Sequence, residues 1–196
     1  SLGLNSLEGM KFLDIGCGSG LFSLAAYSLG AKVTSFDYDP ISVKCTKTLK
    51  QKYYPEALNW NIEEGSVLNK DYLNSLGDFD IVYSWGVLHH TGDMWKALEN
   101  LEIINFNYLF IAIYNDQGLN SKYWHFVKRK YNSNILLKIL IIIIHWPYLF
   151  LFRLIKSKIQ SKVLVRGMNI WIDMLDWLGG IPFEVASPEK IMHFFY

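Results

Sequence analysis

No acidic residue lies between Gln117 and Ile172, a stretch that holds ten basic ones: Lys122, Lys128, Arg129, Lys130, Lys138, Arg153, Lys156, Lys158, Lys162 and Arg166. The near-neutral total of +1 therefore hides 9 basic against 18 acidic residues in the rest of the chain, so one stretch is suited to a different environment. Cysteine is nearly absent. Cys17 and Cys45 alone supply neither a disulfide framework nor a zinc site, so no metal is expected and a reducing compartment is. Ser1 is not an initiating methionine and no basic-then-apolar leader follows it, which reads as a partial or excised chain of a cytoplasmic protein. A membrane-spanning run is lacking too. The uninterrupted apolar stretch from Ile139 to Phe152 is 14 residues, includes His145 and Pro147, and as a helix would reach about 21 Å, short of the roughly 30 Å hydrocarbon core. Nucleic acid is not an expected partner.

What the chain has in quantity is apolar and aromatic side chains, 51% and 16%, enough for one domain with a sizeable core and an insertion. The stretch Phe12 to Gly20, FLDIGCGSG, reads as a buried strand breaking into a glycine turn. Leu21 to Leu29 follows with apolar residues at helical spacing and stops at Gly30. Strand, turn and helix N-terminus form a nucleotide-type cradle in which missing Cβ atoms let a ligand approach free backbone N–H groups. In a dinucleotide fingerprint the third glycine is sixth; here the glycines fall first, third and fifth, at Gly16, Gly18 and Gly20, and Leu21 takes the sixth place. That argues against a nicotinamide-dependent oxidoreductase. Asp14 sets a carboxylate at the strand tip, which suits an ammonium or hydroxyl better than a pyrophosphate. Val33 to Asp37 reads as a second buried strand, and Asp37, 21 residues after Gly16, stands where such folds place the acid that binds both ribose hydroxyls.

Further along, Pro40 opens a helix over Ile41 to Tyr53, a strand covers Leu58 to Glu63, and Gly65-Ser66-Val67 forms a small-residue turn at its end. Phe79 to Ser84 and Tyr108 to Tyr114 are strands, separated by a helix through Leu98 and Leu101 that Thr91 or Asp93 caps. Ser187 with Pro188 starts a last helix. Strands alternating with helices predict an α/β fold, a doubly wound, Rossmann-like and mostly parallel sheet whose ligand edge is the carboxyl ends of the strands. The glycine turn, Asp37, Ser66, Ser84 to His90 and Tyr114 to Asp116 all fall at that edge.

At residues 13 to 20, LDIGCGSG, the chain resembles the first motif of class I S-adenosylmethionine-dependent methyltransferases. The spacing to Asp37, the Gly65-Ser66-Val67 turn and the Phe79 to His90 strand and loop fall where that family has its second to fourth motifs. Trp85 to Asp93, WGVLHHTGD, is similar to the branch that includes the ubiquinone-biosynthesis O-methyltransferases. Pieces at Tyr114 to Gly118, Arg166-Gly167-Met168 and Asp176 to Ala186 resemble a bacterial subgroup of the family. The resemblance implies S-adenosylmethionine as cofactor. It sets Gly16, Gly18 and Gly20, with Cys17 and Ser19 between them, along the methionine part and Asp14 near its amino group. Asp37 falls on the ribose, Ser66 and Val67 beside the adenine, and Trp85, Gly86 and Leu88 along the cofactor next to the acceptor, with Tyr38 and Ser84 as further cofactor-binding candidates. An oxygen acceptor needs its proton removed, and His89 or His90 is the expected base, the alternative for each being a role in packing or capping the loop. Tyr114 and Asp116 are second-line candidates. Such folds end in two further strands, which this sequence lacks.

Three regions are therefore expected: a cofactor-binding core at 1–116, a basic and apolar helical insertion after the fifth strand at 117–168, and a helical part of the incomplete core at 169–196. With positive residues on both flanks, the insertion suits an interfacial helix or helical hairpin whose Lys and Arg meet anionic head groups. Its alternatives are a cap helix over the active site or a dimer contact. The expected function is methyl transfer to a small or lipid-linked acceptor, on oxygen, with residues 121–166 bringing the enzyme peripherally to the inner face of a membrane. The alternative is a non-catalytic cofactor-binding module that docks to a membrane or protein partner. The acceptor and the oligomeric state are left open.

Overall fold

The structure, a computed structural model, describes residues 6–160 and 170–195. The chain divides into two compact units, residues 1–114 and 115–196.

The first unit is built on a parallel sheet of order β3-β2-β1-β4-β5: β1 (Lys11–Ile15), β2 (Lys32–Asp37), β3 (Trp60–Glu64), β4 (Phe79–Trp85) and β5 (Phe106–Ala112). β1 has neighbours on both sides, and four of its five residues are buried, which is why it reads as an unbroken apolar run. The connecting helices are α1 (Leu21–Ser28), α2 (Pro40–Tyr53), α3 (Lys70–Leu76) and α4 (Met94–Leu101). The core gathers Phe12, Ala26, Ala31, Val33, Trp60 and Ile81, with Tyr27 and Tyr83 packed against it. α4 buries Met94, Ala97, Leu98 and Leu101, one stripe at helical spacing. Fully burying a Leu or Met stabilises by about 1.5–3 kcal/mol, so this stripe alone anchors the helix.

Local signals act as their chemistry requires. Asp39 caps α2 by accepting from the backbone N–H of Ile41 and Ser42, with Pro40 in the first turn. Of the two candidates for α4, Asp93 is the cap, accepting from Lys96 N–H, while the Thr91 hydroxyl donates to the Leu88 carbonyl. β5 starts and ends two residues earlier than its apolar run suggests. Its boundaries are set by the partner: it is in register with β4 from Phe79 opposite Phe106 to Trp85 opposite Ala112. α3 has no clear periodicity because only Leu73 is buried; Asn69 caps it through Tyr72 N–H. The fold class expected from the sequence is the one observed, with helices following β5 and the described sheet ending at that strand.

The second unit is helical: α5 (Leu119–Tyr131), α6 (Ile135–Gln160), α7 (Ile170–Gly179) and α8 (Pro188–Phe195). Val127, Tyr131, Ile141, Leu149, Met174 and Leu178 form its core. Lys128 is wholly buried. Its ammonium donates to the Trp177 carbonyl and lies 4.2 Å from the Trp177 ring centroid and 5.0 Å from that of Phe183. One turn on, Asn132 donates to the Gly179 carbonyl at 3.1 Å, so α5 supplies the hydrogen bonds that the end of α7 lacks internally. Asn115 and Ala186 form a parallel bridge, and Asp116 N–H donates to the Ala186 carbonyl at 3.1 Å.

Pro147 does not break α6, which continues through it as one helix; a proline removes one N–H donor but leaves the neighbouring bonds of the ladder. The helix turns Ile141, His145 and Leu149 inward and leaves Ile135, Leu136, Ile143, Ile144, Tyr148 and Leu151 more than half exposed. Among the described residues no helix is long and apolar enough to cross a membrane. The Arg166-Gly167-Met168 piece lies outside the described residues, as does Lys162.

Candidate active site

The carboxyl ends of β1, β2 and β4 converge through named bonds. After β1 the backbone N–H groups of Gly16 and Cys17 donate to the Phe36 carbonyl at 2.8 and 3.0 Å, tying the turn to β2. Asp37 at the tip of β2 accepts from Gly18 N–H at 2.9 Å with one oxygen and from Asp39 N–H at 2.9 Å with the other. Its carbonyl accepts from Gly65 N–H at 3.0 Å, which draws in the turn after β3. The buried Ser84 hydroxyl donates to the Ile15 carbonyl at 3.2 Å and ties β4 to β1. Glycine turn, Asp37, Ser66 and the loop from Trp85 are thus one edge.

The three glycines do different jobs. A Cβ on Gly16 would come within 2.4 Å of the Val87 side chain, and one on Gly20 within 2.7 Å of Thr46; these two glycines make room for the protein itself. Gly18, at φ +54°, has nothing within 4 Å of that position, so a Cβ there would stand in open space.

Burial divides the remaining candidates. Ser19, Tyr38 and Trp85 are exposed, Tyr38 at 80% and Trp85 at 42%; Asp37, Ser66 and Gly86 are half-buried. Asp14, Cys17, Val67, Ser84 and Leu88 are buried, so their side chains shape the edge from beneath. The Val67 carbonyl accepts from the buried Asn100 amide at 2.9 Å, which fixes the Ser66 turn on α4. Burial pushes the Cys17 thiol up to about 12, against the pull of its Thr46 contact, so it stays protonated and is no nucleophile. Burial, with a smaller push from Asp37, raises Asp14 to about 6, while the Ser23 hydroxyl and N–H pull it down.

The histidine pair is split. His89, 1% exposed, has its ring centroid 4.0 Å from that of Tyr114 at the end of β5. His90 is half-buried, edge-on to the same Tyr114 ring at 5.6 Å, and is the one with surface to offer a substrate. Asp116 belongs to the second unit. Residues the sequence reading passed over are Val87, Thr46, Asn100 and Ser23, each recognisable only once a distant partner is in place.

The edge fits a cofactor with an ammonium group and a ribose. Gly18 leaves open space above the turn, and the Asp37 oxygens, each holding one N–H, keep lone pairs for ribose hydroxyls. Among the described residues no group of three or more His, Cys, Asp or Glu could hold a metal ion.

Residues 13–102 match a family model described as a methyltransferase domain. The mitochondrial ubiquinone biosynthesis O-methyltransferase of Schizosaccharomyces pombe is 36% identical over 88 residues, covering 44% of this chain and 30% of that protein. The ubiquinone biosynthesis O-methyltransferase of Caulobacter sp. strain K31 is 32% identical over 102 residues, 49% of this chain and 36% of that protein. The chain thus spans about a third of the length of the curated relatives it matches. Among solved structures, PKMT2 from Rickettsia typhi in complex with AdoHcy aligns with 98% of this chain and 39% of its own at a TM-score of 0.61 and 21% identity, a likeness of fold. The domain match lies on the sheet of order β3-β2-β1-β4-β5, so residues 13–102 are similar to a methyltransferase domain and have its α/β, Rossmann-like fold.

Proposed function

We propose that the protein transfers the methyl group of S-adenosylmethionine to a hydroxyl of a small or lipid-linked acceptor, with His90 as the base. The observation that carries this reading is the split of the histidine pair: His89 is packed away against Tyr114 and His90 keeps surface at the strand edge that bears the glycine turn. Gly18, Asp37, Ser66 and Trp85 hold the cofactor in this reading, with Asp14 beneath supplying charge. The cofactor supplies an activated methyl on a sulfonium, so the protein's work is to align the acceptor oxygen and to take its proton. An imidazole that titrates near neutrality suits that task. The curated relatives named above are O-methyltransferases by name, which supports oxygen as the acceptor atom. Incubation of the protein with cell extract and cofactor labelled in the methyl group, followed by identification of labelled products, tests it. A labelled methyl ether supports the reading; a label only on nitrogen or carbon overturns the oxygen assignment, and no labelled product favours a cofactor-binding module.

The lipid-linked form of the reading draws on the second unit. Its α6 leaves apolar side chains exposed, and Lys122, Arg129, Lys130 and Lys138 are exposed on α5 and α6, a composition suited to an anionic bilayer surface. In this reading the protein is peripheral at a membrane and meets its acceptor there.

A further inference from the structure

Under the glycine turn runs a chain of buried side chains from three different strands and α1. The Trp60 indole donates to Ser35 Oγ at 2.9 Å, Ser35 Oγ lies 2.8 Å from Ser23 Oγ, and the Ser23 hydroxyl donates to Asp14 Oδ2 at 2.5 Å. Ser23 and Ser35 are 0% exposed, Trp60 1% and Asp14 2%. An indole can only donate, so Ser35 accepts from Trp60; with the Ser23 proton given to Asp14, the Ser35 hydroxyl is the donor to Ser23. Every proton points at the carboxylate. Ser23 is also in the first turn of α1, whose preceding residue Gly20 offers no side-chain cap, and its backbone N–H is a second donor to Asp14.

We infer that Trp60, Ser35 and Ser23 are positioning residues that hold Asp14 ionised beneath the glycine turn, so that its charge draws in the ammonium-bearing end of the cofactor. This rests on the proposed S-adenosylmethionine site. Burial and the Asp37 carboxylate on β2 both oppose a charge at this place, and the neutral Cys17 thiol in the turn does not help it. The chain counters part of that cost: the Ser23 hydroxyl and N–H both donate to the carboxylate, and each such bond favours its charged form. A carboxylate fixed at the start of α1 also fills the place where other folds receive a phosphate, which favours an aminoacyl nucleoside over a dinucleotide.

The test compares S-adenosylhomocysteine with adenosine, which lacks the amino-acid part, by titration calorimetry on the full chain between pH 5 and 8. For the wild type, affinity for S-adenosylhomocysteine should fall as pH drops through about 6, and the Asp14→Asn variant should bind weakly with a flat profile over that range. Ser23→Ala removes a hydrogen bond to a charged group, so it should weaken S-adenosylhomocysteine about tenfold to a hundredfold near pH 6 and move the midpoint to higher pH. Adenosine affinity should change in neither variant. Ser35→Ala, which deletes no contact to the carboxylate itself, should move the midpoint the same way by less, and circular dichroism and a melting curve establish that each variant is folded. If folded Ser23→Ala and Ser35→Ala keep the wild-type midpoint, or lose adenosine as much as S-adenosylhomocysteine, the inference is wrong while the site stands. If the wild type binds neither ligand at any pH, the cofactor site itself is wrong and the inference falls with it.

Discussion

Asp37 and Gly18 are joined by a 2.9 Å hydrogen bond from the glycine N–H to a carboxylate oxygen, so the acid that closes β2 also fixes the one glycine of the turn whose Cβ position is open space. The bond couples two sites 19 residues apart. In the proposed function, loss of the carboxylate is expected to cost the ligand twice, through the ribose and through the turn. The Asp37→Ala variant should bind S-adenosylhomocysteine about 1.5–3 kcal/mol more weakly and still melt cooperatively. Calorimetry checks it, and unchanged affinity in a folded variant would refute the ribose assignment.

The glycines separate fold from function. Gly16→Ala drives a methyl to within 2.4 Å of Val87 and Gly20→Ala drives one to within 2.7 Å of Thr46, so both should lower the melting temperature. Gly18→Ala meets open space, and its cost is the left-handed φ, about 1–2 kcal/mol. It should fold and lose cofactor instead. Melting curves with and without S-adenosylhomocysteine distinguish the three; equal destabilisation by all would show that Gly18 does not face the ligand.

The two histidines are expected to fail in different ways. His90→Ala should lower the methyl-transfer rate by about 100-fold to 10,000-fold with S-adenosylhomocysteine affinity unchanged, the range for a lost general base. His89→Ala removes a buried ring from the face of Tyr114 and should act mainly by lowering the melting temperature. Activity retained by a folded His90→Ala variant rules His90 out as the base.

In the second unit, Lys128→Ala should destabilise by about 1.5–3 kcal/mol, because it strips the charged donor from the Trp177 carbonyl at the end of α7. Burial lowers this ammonium to about 8, opposed by Asp176. A lysine lowered in the folded state is bound by fewer protons there than in the unfolded chain between about 8 and its ordinary value near 10.5, so its charge weighs against folding below that window and the penalty is relieved as pH rises through it. The stability difference between Lys128→Met and wild type, measured by denaturant unfolding at pH 7 and pH 10, should shift in favour of the wild type at the higher pH. A difference independent of pH would contradict the lowered value.

Binding of the full chain to anionic vesicles at low salt, with weaker binding as salt is added, is expected of the membrane reading, since each Lys or Arg near the surface contributes about 1 kcal/mol and is screened over roughly 10 Å at 0.1 M. Co-sedimentation that is absent, or equal for neutral vesicles, removes the support for a lipid-linked acceptor.

The sheet was legible because its central strands β1 and β4 are mostly buried and read as apolar runs, and the turn after β1 because Gly16, Gly18 and Gly20 lie close in sequence. What stayed hidden depends on pairing across distance. The boundaries of β5 follow its register with β4, α3 carries one buried residue, and Ser23, Ser35 and Trp60 look like ordinary core until they line up under Asp14. The two histidines are equivalent in sequence and unequal in space, since Tyr114 arrives from another strand to bury one of them. Pro147 leaves α6 one helix, since one lost donor is a local defect.

The central claim is the identity of the cofactor, and parallel calorimetric titrations of the folded chain with S-adenosylmethionine, S-adenosylhomocysteine and NAD test it most directly. The account predicts binding of both S-adenosyl compounds and much weaker or no binding of NAD, because the carboxylates at Asp14 and Asp37 suit an ammonium and a ribose and the turn lacks a glycine in the sixth place. Tighter binding of NAD than of either S-adenosyl compound would contradict it.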